Sequence, residues 1–164
     1  MKRASGVLMH ISSLPGETGI GTLGKEAYRF VDFLEKSGQK YWQILPLGHT
    51  GFGDSPYQSF SAFAGNPYLI DLDILREEGL LKPEEYQEIC WGDDERKTDF
   101  DILSQKRISV LKNITDRFCK TEEYEIFCAE NAFWLEDYSG FMALKEQHGG
   151  KSWRQWEKPL KFRE

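Results

Sequence analysis

Between Gly51 and Tyr68 the sequence gathers residue types whose chemistry is contact rather than proton transfer: Phe52, Tyr57, Phe60, Phe63 and Tyr68 alternate with Asp54, Ser55, Gln58, Ser59, Ser61 and Asn66. Flat rings beside short hydroxyl, amide and carboxylate groups suit a sugar. A sugar ring has an apolar face that packs on an aromatic, and a rim of hydroxyls that both donate and accept hydrogen bonds. Tyr57 and Ser55 are read as binding groups. Phe60, Phe63 and Tyr68 are read instead as anchors that tie a long loop to the core, while glycine and proline set its turns. Asp54, directly before Ser55-Pro56, is a good turn former and can hold the loop in shape.

The other constellations carry less. Gly19-x-Gly21-x-x-Gly24 formally matches a dinucleotide fingerprint, but the loop Ser12 to Thr18 intervenes between strand and glycines, and the next strand ends in Pro46-Leu47 with no acid to hold a ribose. His10 follows the first strand and is read as a satisfied structural residue; His49 and His148 have no partner at metal spacing. Asp32 and Glu35 are solvated charges on a helix surface. Cys90, Cys119 and Cys128 form no C-x-x-C pair, so neither a disulfide framework nor a zinc site is expected. No residue of the chain is assigned a catalytic role, and no metal site is assigned.

The elements that must position the loop are legible from periodicity. Gly6 to Ile11 is a short apolar run before Ser12-Ser13 and Pro15, as expected of a buried parallel strand; Tyr41 to Leu47 is aromatic and branched and reads as a second. Between them Lys25 to Ser37 places Ala27, Phe30, Val31, Phe33 and Leu34 at helical spacing, with Gly38 as the stop. Strand, helix and strand make a right-handed parallel βαβ unit. The loop 48–68 then leaves the carboxyl end of the second strand, and loops of that length are usually functional. Beyond it a short strand is expected at Tyr68 to Leu72, and helices at Leu72 to Glu78, Pro83 to Ile89, Ile102 to Phe118 and Glu122 to Gln147. In the last helix Phe127, Trp134, Leu135, Tyr138, Phe141, Met142 and Leu144 form an apolar stripe read as core. Ser152 to Glu164 is a basic tail with Trp153 and Trp156 three apart.

The 164 residues carry 21 Lys and Arg against 27 Asp and Glu, a net charge of -6. With its bases scattered among acids the chain lacks the basic face that nucleic acid requires. No apolar run approaches the roughly 20 residues that cross a bilayer. The expectation is a soluble cytoplasmic protein with neither nucleic acid nor membrane as partner. Two parallel strands cannot hide both their faces, and a closed eight-stranded barrel takes about 250 residues, so the sequence reads as an amino-terminal piece of something larger.

Several stretches together resemble the amylomaltase, or 4-α-glucanotransferase, family (glycoside hydrolase family 77). They are Ser12-Ser13-Leu14-Pro15-Gly16, Tyr41-Trp42-Gln43-Ile44-Leu45-Pro46-Leu47-Gly48, Gly53-Asp54-Ser55-Pro56-Tyr57-Gln58-Ser59, Gly65-Asn66-Pro67-Tyr68-Leu69-Ile70-Asp71, Phe133-Trp134-Leu135-Glu136-Asp137-Tyr138 and His148-Gly149-Gly150 with Trp153 and Trp156. The resemblance implies an α/β fold, the start of a (β/α)8 barrel over residues 1–75 with its substrate loop at 48–68, and a mostly helical inserted subdomain over 76–164. It implies retaining transfer of an α-1,4-glucan segment to a 4-hydroxyl through a covalent glycosyl-enzyme, without an organic cofactor and with maltooligosaccharides and α-1,4-glucans as partners. The three catalytic carboxylates of that family stand on later barrel strands and have no counterpart here. By matching positions Tyr57 is the platform under the cleaved sugar and Ser55 a hydrogen-bonding neighbour. Phe52 stands where well-known members carry a tyrosine that pairs with an aromatic aligned near Ser104; Phe52 lacks a hydroxyl and Ser104 cannot stack, so that accessory site is not carried over. A stand-alone glucan-binding module is the alternative reading.

Overall fold

A computed structural model describes residues 3–94 and 96–162, with Phe52 described in its backbone only. It divides into two compact units, Met1–Cys119 and Lys120–Glu164.

In the first unit, β1 (Gly6–Leu8) pairs in parallel with β2 (Tyr41–Gln43) in the register Gly6 to Tyr41, Val7 to Trp42 and Leu8 to Gln43. The intervening α1 (Lys25–Lys36) completes the βαβ unit that the periodicity predicts. Its Ala27 and Leu34 are buried, Glu26 and Lys36 complement the helix dipole at their respective ends, and Gly38 in the left-handed region (φ 70°) closes it. Phe30 of α1 packs edge-on against Trp42 of β2, the ring centroids 4.9 Å apart.

Both strands are shorter than expected, because side chains take over the pairing. After the Met9 amide bonds the Gln43 carbonyl, the Trp42 indole donates to the Met9 carbonyl (2.7 Å) and the Leu45 amide donates to His10 Nδ1 (3.3 Å). The chain then turns into a 3-10 segment at Ile11–Ser13. Nor are the strands buried: Leu8 and Tyr41 are 60% and 67% exposed, so only one side of the pair is covered by α1.

The core of this unit lies in the connections. Ile11, Leu14 and Ile20 from the segment after β1 meet Tyr68, Leu69 and Leu72 from the end of the segment after β2, joined by Leu81, Tyr86, Trp91, Leu103 and Val110. Residues beyond position 75 thus share one core with the βαβ unit, and the first compact unit runs on to position 119. In place of the strand expected at Tyr68 there is a 3-10 turn, Pro67–Leu69, because the Asn66 side chain accepts from the Tyr68 amide. Asp71 caps α2 (Leu72–Glu77) by accepting from the amides of Asp73 and Ile74. The helix expected from Pro83 is only a 3-10 turn, Pro83–Glu85. The one expected from Ile102 is α3 (Phe100–Ile102), a π-helical turn (Leu103–Arg107) and α4 (Ile108–Asn113) in succession.

The π turn carries Arg107, whose side chain is completely buried. Its Nη1 donates to the Thr18 carbonyl (3.0 Å), its Nη2 to the Ile70 carbonyl, and the guanidinium lies 5.8 Å from the centre of the Trp91 ring. Burial pushes its pKa down to about 10, opposed by the nearby Asp71 carboxylate.

The second unit holds α5 (Glu122–Glu130), α6 (Ala132–Gln147) and α7 (Lys158–Phe162). The single helix expected over 122–147 is interrupted at Asn131, whose Nδ2 donates to the Phe127 carbonyl while its Oδ1 accepts from the Trp134 indole. The apolar stripe is not core: no described residue of α5 or α6 is buried, and Phe127 is 47% exposed. Two helices and a short tail offer too little surface to enclose their own aromatics. Trp156 is buried, against Phe141 and His148 at 5.5 and 5.2 Å between ring centroids.

Candidate functional site

The long loop after β2 is folded back on itself by two antiparallel bridges, Gly48 with Gly65 and Thr50 with Ser59, and its base is closed by the Asn66 amide bonding the Leu47 carbonyl at 2.8 Å. Its tip needs two successive residues in the left-handed region, Gly53 (φ 72°) and Asp54 (φ 51°). Aspartate tolerates that backbone better than most residues with a Cβ. Burial pushes the Asp54 carboxyl above the usual range and the charge of Asp101 pushes it further. The Tyr68 phenol is raised by its burial and then by Asp54. Asp54 is half-buried and within electrostatic reach of Tyr68 and Asp101.

Ser55 and Tyr57 follow directly. The Gln58 amide bonds the Ser55 carbonyl (3.1 Å) and the Ser55 hydroxyl accepts from the Tyr57 amide (3.4 Å), which turns the tyrosine outward; Tyr57 is 71% exposed. The loop encloses a cleft of about 540 Å³ whose walls include Pro46, Tyr57, Ser59, Ser61 and Phe63. That volume lies within the range of small-molecule sites, about 300–1,000 Å³. Two exposed rings thus line one space together with two serines, whose hydroxyls hold the loop: Ser59 Oγ donates to the Ser61 carbonyl and Ser61 Oγ accepts from the amides of Phe63 and Ala64.

The expected residues are distributed unevenly over it. Tyr57 lines the cleft; Ser55 and Asp54 stand beside it and shape the turn; the side chain of Phe52 lies outside the described residues. Tyr68 is buried, as an anchor must be, and touches His49, which in turn meets Phe60 edge-on. Phe63 is no anchor: it is 61% exposed on the cleft wall. The Ser61 hydroxyl accepts from the amides of Phe63 and Ala64, and that turn swings the ring out while Ala64 is buried in its place. A serine two residues before an aromatic was the signal available in the sequence.

The dinucleotide reading fails on space. The amino end of α1, where a pyrophosphate would rest, is filled by the Asp71 carboxylate, into which a Cβ at position 24 would drive; a Cβ at position 21 would strike the Ile11 carbonyl. His10 accepts from the Leu45 amide, and burial lowers its pKa. It holds the end of β2, as the structural reading requires. Among the described residues no cluster of three or more His, Cys, Asp or Glu could hold a metal ion.

A family model described as 4-alpha-glucanotransferase, Glyco_hydro_77, matches residues 9–164, the whole of the cleft included. The chain belongs to this family. It is 53% identical over 157 residues to a 4-alpha-glucanotransferase of Clostridium butyricum, covering 94% of this chain and 32% of that protein. It is 49% identical over 170 residues to one of Thermus thermophilus, covering 100% and 33%. Among solved structures, an amylomaltase from Streptococcus agalactiae in complex with acarbose superposes with a TM-score of 0.88 at 51% identity, over 96% of this chain and 32% of that one. The fold is therefore amylomaltase-like, mostly helical with a small parallel sheet. The chain spans about a third of the length of these relatives. No helix among the described residues is long and apolar enough to cross a membrane.

Proposed function

We propose that the chain serves a 4-α-glucanotransferase reaction: a segment of an α-1,4-glucan is cut from its donor, held as a glycosyl-enzyme with retained configuration, and passed to the 4-hydroxyl of another glucan or of glucose. The observation that carries this reading is the loop cleft, a space of small-molecule size lined by the exposed rings of Tyr57 and Phe63 and by Ser59 and Ser61. Tyr57 is the platform on which an apolar sugar face packs; Ser55 sets the direction of that ring and hydrogen-bonds at its side; Asp54 maintains the turn. Phe52, in the same loop, is assigned to substrate binding with them.

Retaining transfer needs a nucleophilic carboxylate and an acid/base carboxylate flanking the scissile bond. No pair of acids in the loop cleft answers to that, and we assign both to polypeptide beyond these 164 residues. Residues 1–75 then form the first βαβ unit of a (β/α)8 barrel with the substrate loop 48–68 at the carboxyl end of β2, where barrels place their sites. Residues 76–164 form a helical insertion, whose first part shares the core of the βαβ unit. The partners are maltooligosaccharides and α-1,4-glucans in the cytoplasm; the names of the relatives and the acarbose bound to one of them support this class of ligand.

Maltotriose disproportionation tests the reading. Glucose should be released by a polypeptide extended to the relatives' length and not by residues 1–164 alone. Release by the short chain would overturn the placement of the carboxylates; silence from both, with glucan binding retained, would leave a binding module.

A further inference from the structure

A second cleft, of about 530 Å³, is walled by residues none of which lines the first. It lies where the segment after β1, the amino end of α1, the start of α2 and the segment carrying Tyr86 and Trp91 come together.

Its walls are fixed from behind. Thr22 is buried and donates to Asp71, which also caps α2. The Tyr86 hydroxyl donates to Asp73, and the Trp91 indole donates to the Tyr86 carbonyl at 3.2 Å. Arg107, under Trp91, holds the Thr18 carbonyl. A pocket whose polar groups are already tied to one another needs no ordering when a ligand enters, which is the usual state of small-molecule sites.

The chemistry of the walls narrows the ligand. An anion is disfavoured, because the Asp71 carboxylate occupies the amino end of α1 and the wall also carries Glu17, Glu26 and Asp73. A bare metal ion is disfavoured, because no cluster of three or more ligating groups occurs among the described residues, and Asp71 and Asp73 already accept from Thr22 and Tyr86. Beside them the walls carry the carboxylate of Glu17, the paired Glu26 and Arg29 (2.6 Å), and the donors Lys25 and Gln87. A neutral molecule bearing several hydroxyls satisfies both kinds at once, since each hydroxyl donates and accepts.

We propose that this cleft binds a neutral sugar unit separately from the loop cleft. The choice of an α-glucan as that sugar rests on the function proposed above. It is a different place from the loop: no described residue of 48–68 lines it, nor does Ser104.

The test is a titration of the ¹⁵N-labelled chain with maltotriose, maltoheptaose, cellotriose and lactose, following the Trp91 indole and the amides of Thr22 and Gln87 for this cleft, and those of Ser61 and Ala64 for the loop cleft. Saturable shifts of the first set with the α-glucans are expected, and the double variant Lys25→Ala, Gln87→Ala should weaken them at least threefold while leaving the Ser61 and Ala64 shifts in place. α-Glucan shifts confined to Ser61 and Ala64 would overturn this inference and leave the proposed function standing. Shifts of the first set with cellotriose or lactose alone would keep the sugar site and overturn its α-glucan assignment. No shift in the first set with any of the four sugars would overturn the site itself.

Discussion

The guanidinium of Arg107 and the carbonyl of Ile70, 37 residues apart, meet at 2.5 Å in the interior of the first unit. The same side chain reaches the Thr18 carbonyl, so one buried cation ties the segment after β1 to the segment after β2. Its Nε has no hydrogen-bond partner among the described residues, so the charge is held by two backbone acceptors, the face of Trp91 and the nearby Asp71 carboxylate. Replacement by Met would leave both carbonyls without a donor inside the core. Arg107→Met should cost about 3 kcal/mol or more in urea unfolding. Arg107→Lys, which keeps the charge and loses the fork, should fall between. A loss below about 1 kcal/mol for Met would show that the carbonyls find other partners.

Tyr57 makes the opposite prediction. Its ring is largely in solvent, so Tyr57→Ala should leave the melting temperature unchanged and weaken maltoheptaose binding about five- to tenfold, the worth of one stacked ring. Calorimetric titration beside thermal unfolding separates the two effects. Equal affinity in the two proteins would remove the platform role.

Asp54 carries a carboxyl raised by burial and by Asp101. Because its folded pKa lies above the unfolded one, proton uptake favours the folded state. The ionised group is therefore a penalty at neutral pH, and the penalty disappears as pH falls below about 3.9. Asp54→Asn, which also accepts the left-handed backbone, should melt higher than the parent at pH 7, and the two curves should converge on acidification. Asp54→Ala should be about 1 kcal/mol less stable than Asn at the same pH, because alanine at φ 51° is strained. An Asn variant that melts no higher at pH 7 would contradict the burial of the charge.

Glu85 behaves in the reverse sense. Two hydrogen bonds from Arg117, each 2.6 Å, and one from the Lys82 amide at 2.8 Å hold its carboxyl down to about 2. The folded pKa lies below the unfolded one, so this stabilisation is present above about pH 4.3 and is lost as pH falls towards 2. Arg117→Met should lower the melting temperature at pH 7 and flatten its decline through that acid window. Parallel curves for parent and variant would mean that the pair contributes no pH dependence.

Periodicity made the βαβ unit and the bounds of α1 legible, because a helix that buries Ala27 and Leu34 and packs Phe30 on Trp42 writes its spacing into the chain. It failed where single side chains compete with the backbone ladder. His10 and Trp42 end the strand pairing, Asn66 converts an expected strand into a turn, and Asn131 breaks one expected helix into two. In the site, residue type alone marked Tyr57 and Ser55 as candidates, of which Tyr57 lines the cleft and Ser55 stands next to it in the turn. The place of Phe63 was not, since its exposure depends on two hydrogen bonds to the Ser61 hydroxyl rather than on its hydrophobicity. The π turn at Arg107 left no periodic trace either; a basic residue amid apolar ones reads as a surface position until its carbonyl partners are known.

Loops ordinarily absorb sequence change while the elements they join resist it. Here the core is assembled from Ile11, Leu14, Ile20, Tyr68 and Leu69, all outside the strands and longer helices, whereas Leu8 and Tyr41 of the strands stand in solvent. Mutational tolerance in this unit is therefore expected to be inverted: substitution, insertion and deletion in the connecting segments 11–24 and 64–71 strike the core directly, and a change there tests packing first and binding only second.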